Sequence, residues 1–219
     1  MQVSKDAIAK AIADMKSKSE KRKFNQSVEL AVKLRELDLK RPEARISEAL
    51  ELPTPASKDV KVAVIAGGDL AVRAKNAGAD LIIGREDLDK MGRDKKQARK
   101  LAQNYDYFVA EAPLMPQVGK SLGQMLGPRG KMPTPIPPTA PIDDVIKRQR
   151  RNARLKMKDQ PVIQVKVGTE DMPDAVLVQN IQAVISRLEA KLEKGAKNIS
   201  GVSVKTTMGP LVKVATTQA

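Results

Sequence analysis

The residues best suited to chemistry follow an apolar run at residues 62–66, where Gly67 and Gly68 precede Asp69. A strand, a glycine turn and a helix in this order form the framework of a dinucleotide-binding site. That site would need glycine where Asp69 and Val72 stand, because pyrophosphate must approach the backbone closely. The Asp69 carboxylate would also repel it. A glycine turn with a helix capped by Asp69 is therefore the better explanation.

A second glycine-containing segment, at residues 127–133, ends like a phosphate-binding P-loop. The P-loop pattern requires glycine at the position of Met125 and serine or threonine at that of Met132, and the sequence has neither. Arg129 and Lys131 make the segment basic. It fits a turn with incidental charge and an anion-contacting loop equally well, so Arg129 and Lys131 are secondary candidates for contact with RNA.

Composition excludes most other enzyme chemistry. The 219 residues include no cysteine and no histidine, which rules out thiol nucleophiles, histidine bases and the usual zinc sites. Carboxylate pairs at residues 143–144 and 170–171 are adjacent in sequence near predicted helix starts, where the helix dipole explains them. We therefore predict that the protein is not an enzyme and uses no metal and no cofactor.

The charge balance indicates a polyanionic partner. Lys and Arg number 40 against 26 Asp and Glu, which gives a net charge of +14, and such an excess is typical of nucleic-acid binding. The aromatic residues are Phe24, Tyr105, Tyr107 and Phe108, too few for stacking successive bases. No apolar run approaches the roughly 20 residues of a membrane span, and no signal peptide is visible. We expect a cytoplasmic protein that does not enter a membrane.

The elements near both ends of the chain share one pattern. Alternation of apolar and polar residues predicts half-buried strands at residues 27–34, 46–52, 163–167, 202–205 and 211–214. Helical periodicity predicts amphipathic helices that begin near Ser4 and Asp174. Neither end alone has enough strands to bury its apolar face. Both ends should therefore join in one α+β domain.

The middle of the chain follows another pattern. Continuous apolar strands at residues 62–66, 81–83 and 107–110 alternate with helical segments, which predicts a Rossmann-like, three-layer α/β arrangement. Prolines between residues 133 and 141 predict a stiff extended segment, followed by a basic helix. The predicted fold is of the α/β class, with an α+β domain at residues 1–60 and 153–219 and an inserted Rossmann-like domain at residues 61–152.

The sheet of the α+β domain should have one polar face. If helices cover its other side, hydroxyl, amide and ammonium groups share the exposed face, namely Ser27, Glu29, Lys33, Gln164, Lys166, Ser203, Lys205 and Thr207. Such groups can contact phosphates and ribose 2′-hydroxyls. An ordinary solvated face of an antiparallel sheet explains the same residues. Both alternatives remain open on this pattern alone.

Three segments resemble the signature segments of the ribosomal protein L1 family. They are KFNQSVEL at residues 23–30, LGPRGKMP at 126–133 and TMGP at 207–210. The resemblance covers essentially the whole chain, in order and with matching spacing. The segment from Phe24 onward is more similar to archaeal members than to bacterial ones. The resemblance implies the discontinuous two-domain layout described above.

The same resemblance implies a structural constituent of the large ribosomal subunit that is monomeric when free. It implies binding to 23S-type rRNA of the mobile side stalk, assistance in release of deacylated tRNA from the exit site, and repression of translation through an mRNA mimic of the rRNA site, its own mRNA being a candidate. The family's RNA-contact positions fall on Lys23, Phe24, Ser27, Glu29, Gln164, Lys166, Gly168, Thr207, Met208 and Gly209.

Some of these positions depart from the bacterial pattern or need a special role. Ser27 and Gln164 replace threonine and histidine, and both retain hydrogen-bonding groups. Glu29 would repel phosphate, so we expect it to orient Lys23 or to accept a hydrogen bond from RNA. Gly209 should permit a close approach that a Cβ would obstruct. The alternatives are an α/β enzyme that uses the glycine turn and a protein that compacts DNA without specificity.

Overall fold

The computed structural model describes residues 3–37, 46–57, 59–157 and 160–216. The helices are α1 (Lys5–Lys18), α2 (Gly68–Asn76), α3 (Arg85–Arg93), α4 (Lys95–Asn104), α5 (Met115–Leu126), α6 (Ile142–Arg151) and α7 (Asp174–Lys191). The strands are β1 (Ser27–Leu34), β2 (Ser47–Glu51), β3 (Val62–Ile65), β4 (Leu81–Ile83), β5 (Tyr107–Glu111), β6 (Thr134–Ile136), β7 (Asn152–Lys156), β8 (Val162–Thr169), β9 (Ile199–Thr206) and β10 (Val212–Lys213).

The chain divides into two compact units. The first comprises residues 1–57 and 151–219, and the second comprises residues 58–150. Each has its own apolar core, because the buried clusters of one unit contain no residue of the other. The α/β fold class predicted from the sequence is confirmed, with an antiparallel sheet in one unit and a parallel sheet in the other.

The first unit has a four-stranded antiparallel sheet in the order β10-β9-β1-β8. Its core side is covered by α1 and α7, whose apolar stripes are fully buried as their periodicity predicted. The Ser4 hydroxyl caps α1 by accepting a hydrogen bond from the Ala7 amide at 3.2 Å. Along β1, Val28, Leu30 and Val32 are buried against these helices. The alternate residues of β1 therefore lie on the uncovered face.

A separate antiparallel ladder joins β2 to β7. The strand β2 matches the prediction near residues 46–52. The strand β7 was not predicted, because the predicted boundary between the domains falls between residues 152 and 153. Its two inward residues, Ala153 and Leu155, are buried, but five residues give too short an alternation to identify a strand. The Leu52 amide donates to the Arg151 carbonyl at 3.0 Å, so both ends of the inserted segment leave from one ladder.

A bulge interrupts the pairing of β1 with β8. Val28 pairs with Gly168 while Glu29 pairs with Lys166, so Val167 has no counterpart on β1. The side-chain amide of Asn180, which is fully buried in α7, donates to the Val167 carbonyl at 2.8 Å. Asn180 also accepts from the Thr54 amide and donates to its carbonyl, both at 3.1 Å. One side chain thus satisfies the bulge and anchors the segment after β2.

The second unit is a three-layer α/β structure. Its sheet is parallel, in the order β4-β3-β5-β6. Alternate residues of β3 face two different cores, one shared with α3, α4 and α5 and the other with α2 and α6. The strand β6 lies within the proline-rich segment that was predicted only as extended. Pro135 is tolerated there because β6 is an edge strand.

Candidate nucleic-acid interface

The uncovered face of the first unit's sheet brings together the polar residues predicted for it. In the strand register, Glu29 of β1 lies between Lys166 of β8 and Lys205 of β9. Ala31 lies between Gln164 and Ser203 in the next row. Opposite charges on neighbouring strands stabilise each other. The register thus places Glu29 beside two lysines of the sheet, which accounts for a carboxylate on this face. The expected role of Glu29 toward Lys23 or RNA stays a prediction.

At one end of this face, Gln26 holds three loops together. Its side chain is fully buried. The Nε2 atom donates to Ser19 Oγ at 3.2 Å, to the Glu20 carbonyl at 2.9 Å and to Glu170 Oε2 at 3.2 Å. The Oε1 atom accepts from the Met208 amide at 3.1 Å. We call residues 19–26, 170–173 and 207–211, which this side chain connects, the loop cluster.

Gln26 was not predicted as a site residue, although the alternation of buried residues along the sequence points to it. Gln26 continues the period of two shared by Val28, Leu30 and Val32, whose side chains face the core. A polar residue in phase with a buried stripe must find hydrogen-bond partners inside the protein. The loop cluster supplies them, including a hydrogen bond from the Gln26 amide to Glu170 Oε1 at 3.2 Å.

Thr207 and Gly209 have structural roles within the loop cluster. Thr207 Oγ1 accepts from the Ser27 amide at 3.0 Å, and the Thr207 amide donates to the Ser27 carbonyl at 3.0 Å. A Cβ at position 209 would overlap Thr206 Oγ1, which is hydrogen-bonded to Ser19 Oγ at 2.8 Å. Gly209 thus permits a close approach to the protein's own side chains, and its contact with RNA stays a prediction.

Apolar side chains border the loop cluster on its solvent side. Phe24, Met208 and Leu211 are 51%, 63% and 53% exposed, and they are among the few large apolar residues that the described chain exposes to this extent. Lys23 is exposed beside Phe24. One end of the first unit therefore holds Lys23, Phe24, Ser27 and Met208, which all lie in or beside the loop cluster.

Gly168 does not belong to the exposed face. It is buried, and a Cβ at this position would overlap Leu177 of α7 and press on Met172. The absence of a side chain lets α7 pack closely on β8. The structure therefore places Gly168 toward the core rather than on the exposed sheet face, and its contact with RNA stays a prediction.

The segment at residues 127–133 is a helix C-terminus in the second unit. Gly130 has a φ of 66°, the Gly130 amide donates to the Gly127 carbonyl and the Lys131 amide to the Leu126 carbonyl, both at 2.9 Å, which is a Schellman motif. A helix C-terminus carries partial negative charge and disfavours anions. Lys131 Nζ donates to the Tyr105 carbonyl at 2.7 Å. Lys131 is thereby a structural residue, while Arg129 is exposed.

The glycine turn after β3 also differs from its prediction in detail. The N-cap of α2 is Gly67, without a side-chain hydrogen bond, and Asp69 instead pairs with Arg73 at 2.8 Å. The Gly67 amide, which would face a phosphate in a nucleotide site, donates to Glu111 Oε2 at 3.2 Å. The turn thus holds the protein's own carboxylate where a ligand anion would lie.

Among residues 3–37, 46–57, 59–157 and 160–216, no group of three or more acidic, histidine or cysteine side chains could hold a metal ion. No helix within those ranges is both long enough and apolar enough to cross a membrane.

Fold and site together define a two-unit α/β protein whose discontinuous unit has a polar, lysine-bearing sheet face. The chain belongs to the Ribosomal protein L1p/L10e family, whose model matches residues 15–210. Membership confirms the predicted resemblance and the prediction that the protein is not an enzyme.

Archaeal relatives match nearly the whole chain, which confirms its archaeal character. The protein named large ribosomal subunit protein uL1 from Methanothermobacter thermautotrophicus is 46% identical over 207 residues, which cover 94% of this chain and 98% of the relative. The protein of that name from Pyrococcus horikoshii is 46% identical over 215 residues, 98% of each chain. That from Thermofilum pendens is 48% identical over 210 residues, 95% of this chain and 91% of the relative.

Proposed function

We propose that the protein is a structural constituent of the large ribosomal subunit and binds 23S-type rRNA of the mobile side stalk through the first unit. The observation that carries this proposal is the uncovered sheet face that ends in the loop cluster. Two of the three segments that carry the family resemblance, at residues 23–30 and 207–210, meet in that cluster through Gln26 and Ser27.

The chemistry of this surface suits RNA. Lys166 and Lys205 can neutralise phosphates, and Gln164 and Ser203 offer hydrogen bonds to ribose hydroxyls and phosphate oxygens. Phe24 and Met208 provide apolar surface against bases or sugars at one end of the face. Recognition through backbone and shape agrees with the scarcity of aromatic residues.

Two finer proposals rest on the family resemblance. We propose that the protein assists release of deacylated tRNA from the exit site as a component of the side stalk. We also propose that an mRNA segment with the fold of the rRNA site, the protein's own mRNA being the first to examine, can occupy the same sheet face and thereby repress translation. The two RNAs should compete for one site on a monomeric protein.

Replacing Lys166 with alanine should weaken binding of the stalk rRNA fragment and of unrelated RNA to a similar extent. Loss of one phosphate contact should reduce the magnitude of the log–log salt slope by somewhat less than about one unit. Titrations at several salt concentrations would measure both effects. Lys10→Ala is the matched control, because it removes an exposed lysine of α1, on the covered side of the same unit. Equal salt slopes for the two variants would contradict the sheet-face assignment.

We also propose that the two units are independent domains and that the first holds the specific RNA site. A chain in which residues 58–150 are replaced by a short glycine-serine linker between Ser57 and Arg151 should fold and keep specific binding to the stalk rRNA fragment. The physical reason is that the ladder β2–β7 already holds Leu52 beside Arg151. Circular dichroism would establish folding and titration would establish affinity. A folded truncation without specific binding would place the main site in the second unit.

A further inference from the structure

The helix α4 in the second unit carries an exposed cationic face. Lys96, Arg99, Lys100 and Gln103 are exposed and recur at the i, i+3, i+4, i+7 spacing of one helical face. Ala98, Leu101 and Ala102 are buried on the opposite side. No ion pair involves Lys95, Lys96, Arg99 or Lys100 within the described part of the chain. We call Lys96, Arg99 and Lys100 the α4 cations.

Stability does not explain this arrangement of charges. Lys95 and Lys96 lie in the first turn of α4, which has no acidic residue, and the positive end of the helix dipole disfavours cations there. The N-cap Asp94 accepts from the Lys96 and Gln97 amides at 2.8 and 3.3 Å. Lys96 and Lys100 add a like-charge pair at i, i+4.

Most other helices that the structure describes follow the opposite rule, and α5 is the exception, with neither acidic residues in its first turn nor basic residues in its last. The first turns of α1, α2, α3, α6 and α7 all contain Asp or Glu. The last turns of α1, α2 and α7 contain Lys or Arg. The charges of α4 therefore conflict locally with the helix that carries them, and such conflicts are expected at functional surfaces.

We propose that the α4 cations bind the phosphate backbone of double-helical RNA, as a second RNA contact outside the sheet face. A nucleic-acid duplex carries closely spaced phosphates, and binding releases condensed counterions. Arg99 adds a planar guanidinium that can bind phosphate through two donors. A membrane-surface helix would instead present apolar residues toward the lipid, and the apolar residues of α4 are all buried in the unit's own core. The choice of RNA as the polyanion rests on the proposed function.

The test uses the full chain and a 30-base-pair RNA duplex of unrelated sequence. The triple variant Lys96→Gln, Arg99→Gln, Lys100→Gln should bind the duplex roughly tenfold more weakly at low salt, and its log–log salt slope should fall by about 2 to 3 in magnitude. The control Lys61→Gln, Lys75→Gln, Lys120→Gln removes three exposed, scattered lysines of the same unit, with the same change in net charge. It should alter both quantities much less.

Thermal unfolding provides a second readout, because removing Lys96 from the first turn relieves an unfavourable interaction with the helix dipole. The α4 variant should therefore unfold no earlier than the parent protein. Equal losses of duplex binding in the two triple variants would overturn the proposal, since net charge alone would then explain them. Unchanged duplex binding together with lost binding to phosphatidylserine-containing vesicles would overturn it in favour of a membrane contact.

The result can be separated from the fate of the proposed function. The comparison of the α4 triple variant with its lysine control on the unrelated duplex reports the α4 contact, because both variants keep the sheet face. The comparison of Lys166→Ala with Lys10→Ala on the stalk fragment reports the sheet face. If the α4 variant binds the duplex more weakly than its control while Lys166→Ala and Lys10→Ala bind the stalk fragment equally, the α4 contact is supported and the sheet-face site is refuted. If the α4 variant and its control bind the duplex equally while Lys166→Ala weakens stalk binding, the α4 contact alone is refuted.

Discussion

Replacement of the buried Gln26 by leucine should weaken binding of the stalk rRNA fragment at least about tenfold and destabilise the first unit by about 2–5 kcal/mol. The variant leaves the Met208 amide, the Glu20 carbonyl and Glu170 Oε2 without the hydrogen bonds that the Gln26 side chain provides. The loop cluster would then lose its fixed geometry, and ordering it again on binding costs affinity. Titration well below the unfolding temperature would measure the affinity of the folded variant.

The control for this change is Gln124→Leu, which makes the same replacement at an exposed position of α5 in the second unit. It should leave both stability and RNA affinity near those of the parent protein. If Gln26→Leu lowers stability while the folded variant keeps parental affinity, the loop cluster does not contribute to RNA binding, and Gln26 acts on folding alone.

The second large effect concerns Asn180, whose replacement by leucine should destabilise the first unit by about 2–4 kcal/mol. The Val167 carbonyl at the bulge and the Thr54 amide would lose their partner in the interior, and a buried unsatisfied group costs more than the lost hydrogen bond. Urea unfolding followed by circular dichroism would measure the change. RNA affinity of the folded protein should be preserved, because Asn180 lies on the helix that covers the other side of the sheet.

The protein provides an internal control for this measurement. Both tyrosines, Tyr105 and Tyr107, belong to the second unit, so tyrosine fluorescence follows that unit alone. The Asn180→Leu variant should shift the dichroism transition of the first unit and leave the tyrosine transition in place. Gln182→Leu, on the same helix but only half-buried, should shift neither by more than about 0.5 kcal/mol. Equal shifts for the two variants would mean that the amide contacts of Asn180 contribute little.

Sequence reasoning succeeded where one physical rule dominates a long segment. The alternation from Ser27 to Leu34 and the apolar stripe of α7 each extend over enough residues to define which side is buried. The α/β class and the family resemblance follow from the same regularities. The strands β6 and β7 were missed for the opposite reason, since they are short and their pairing depends on partners distant in sequence.

Gly168 shows why part of the candidate site could not be predicted. It is in phase with Gln164 and Lys166, so a period of two places all three on the exposed face. The bulge at Val167 shifts the register by one residue and turns Gly168 toward α7. A bulge depends on how two strands pair, so it cannot be predicted from the alternation of residues along one strand. Gln26 could have been found, because its phase with the buried stripe was visible.

The strand order of the first unit has a consequence for synthesis on the ribosome. Among the described residues, β1 pairs with β8 and β9, which lie in the last third of the chain. The strand pairs of the second unit's sheet instead join residues within 58–150. As the nascent chain emerges from the N-terminus onward, the inserted unit completes its own contacts first. The strand β1 cannot complete its pairing with β9 until residue 206 has been synthesised. The first unit therefore has the higher contact order and should fold more slowly than the second. During that interval β1 has no partner strand, and its own charged residues, Glu29 and Lys33, limit its association with other chains.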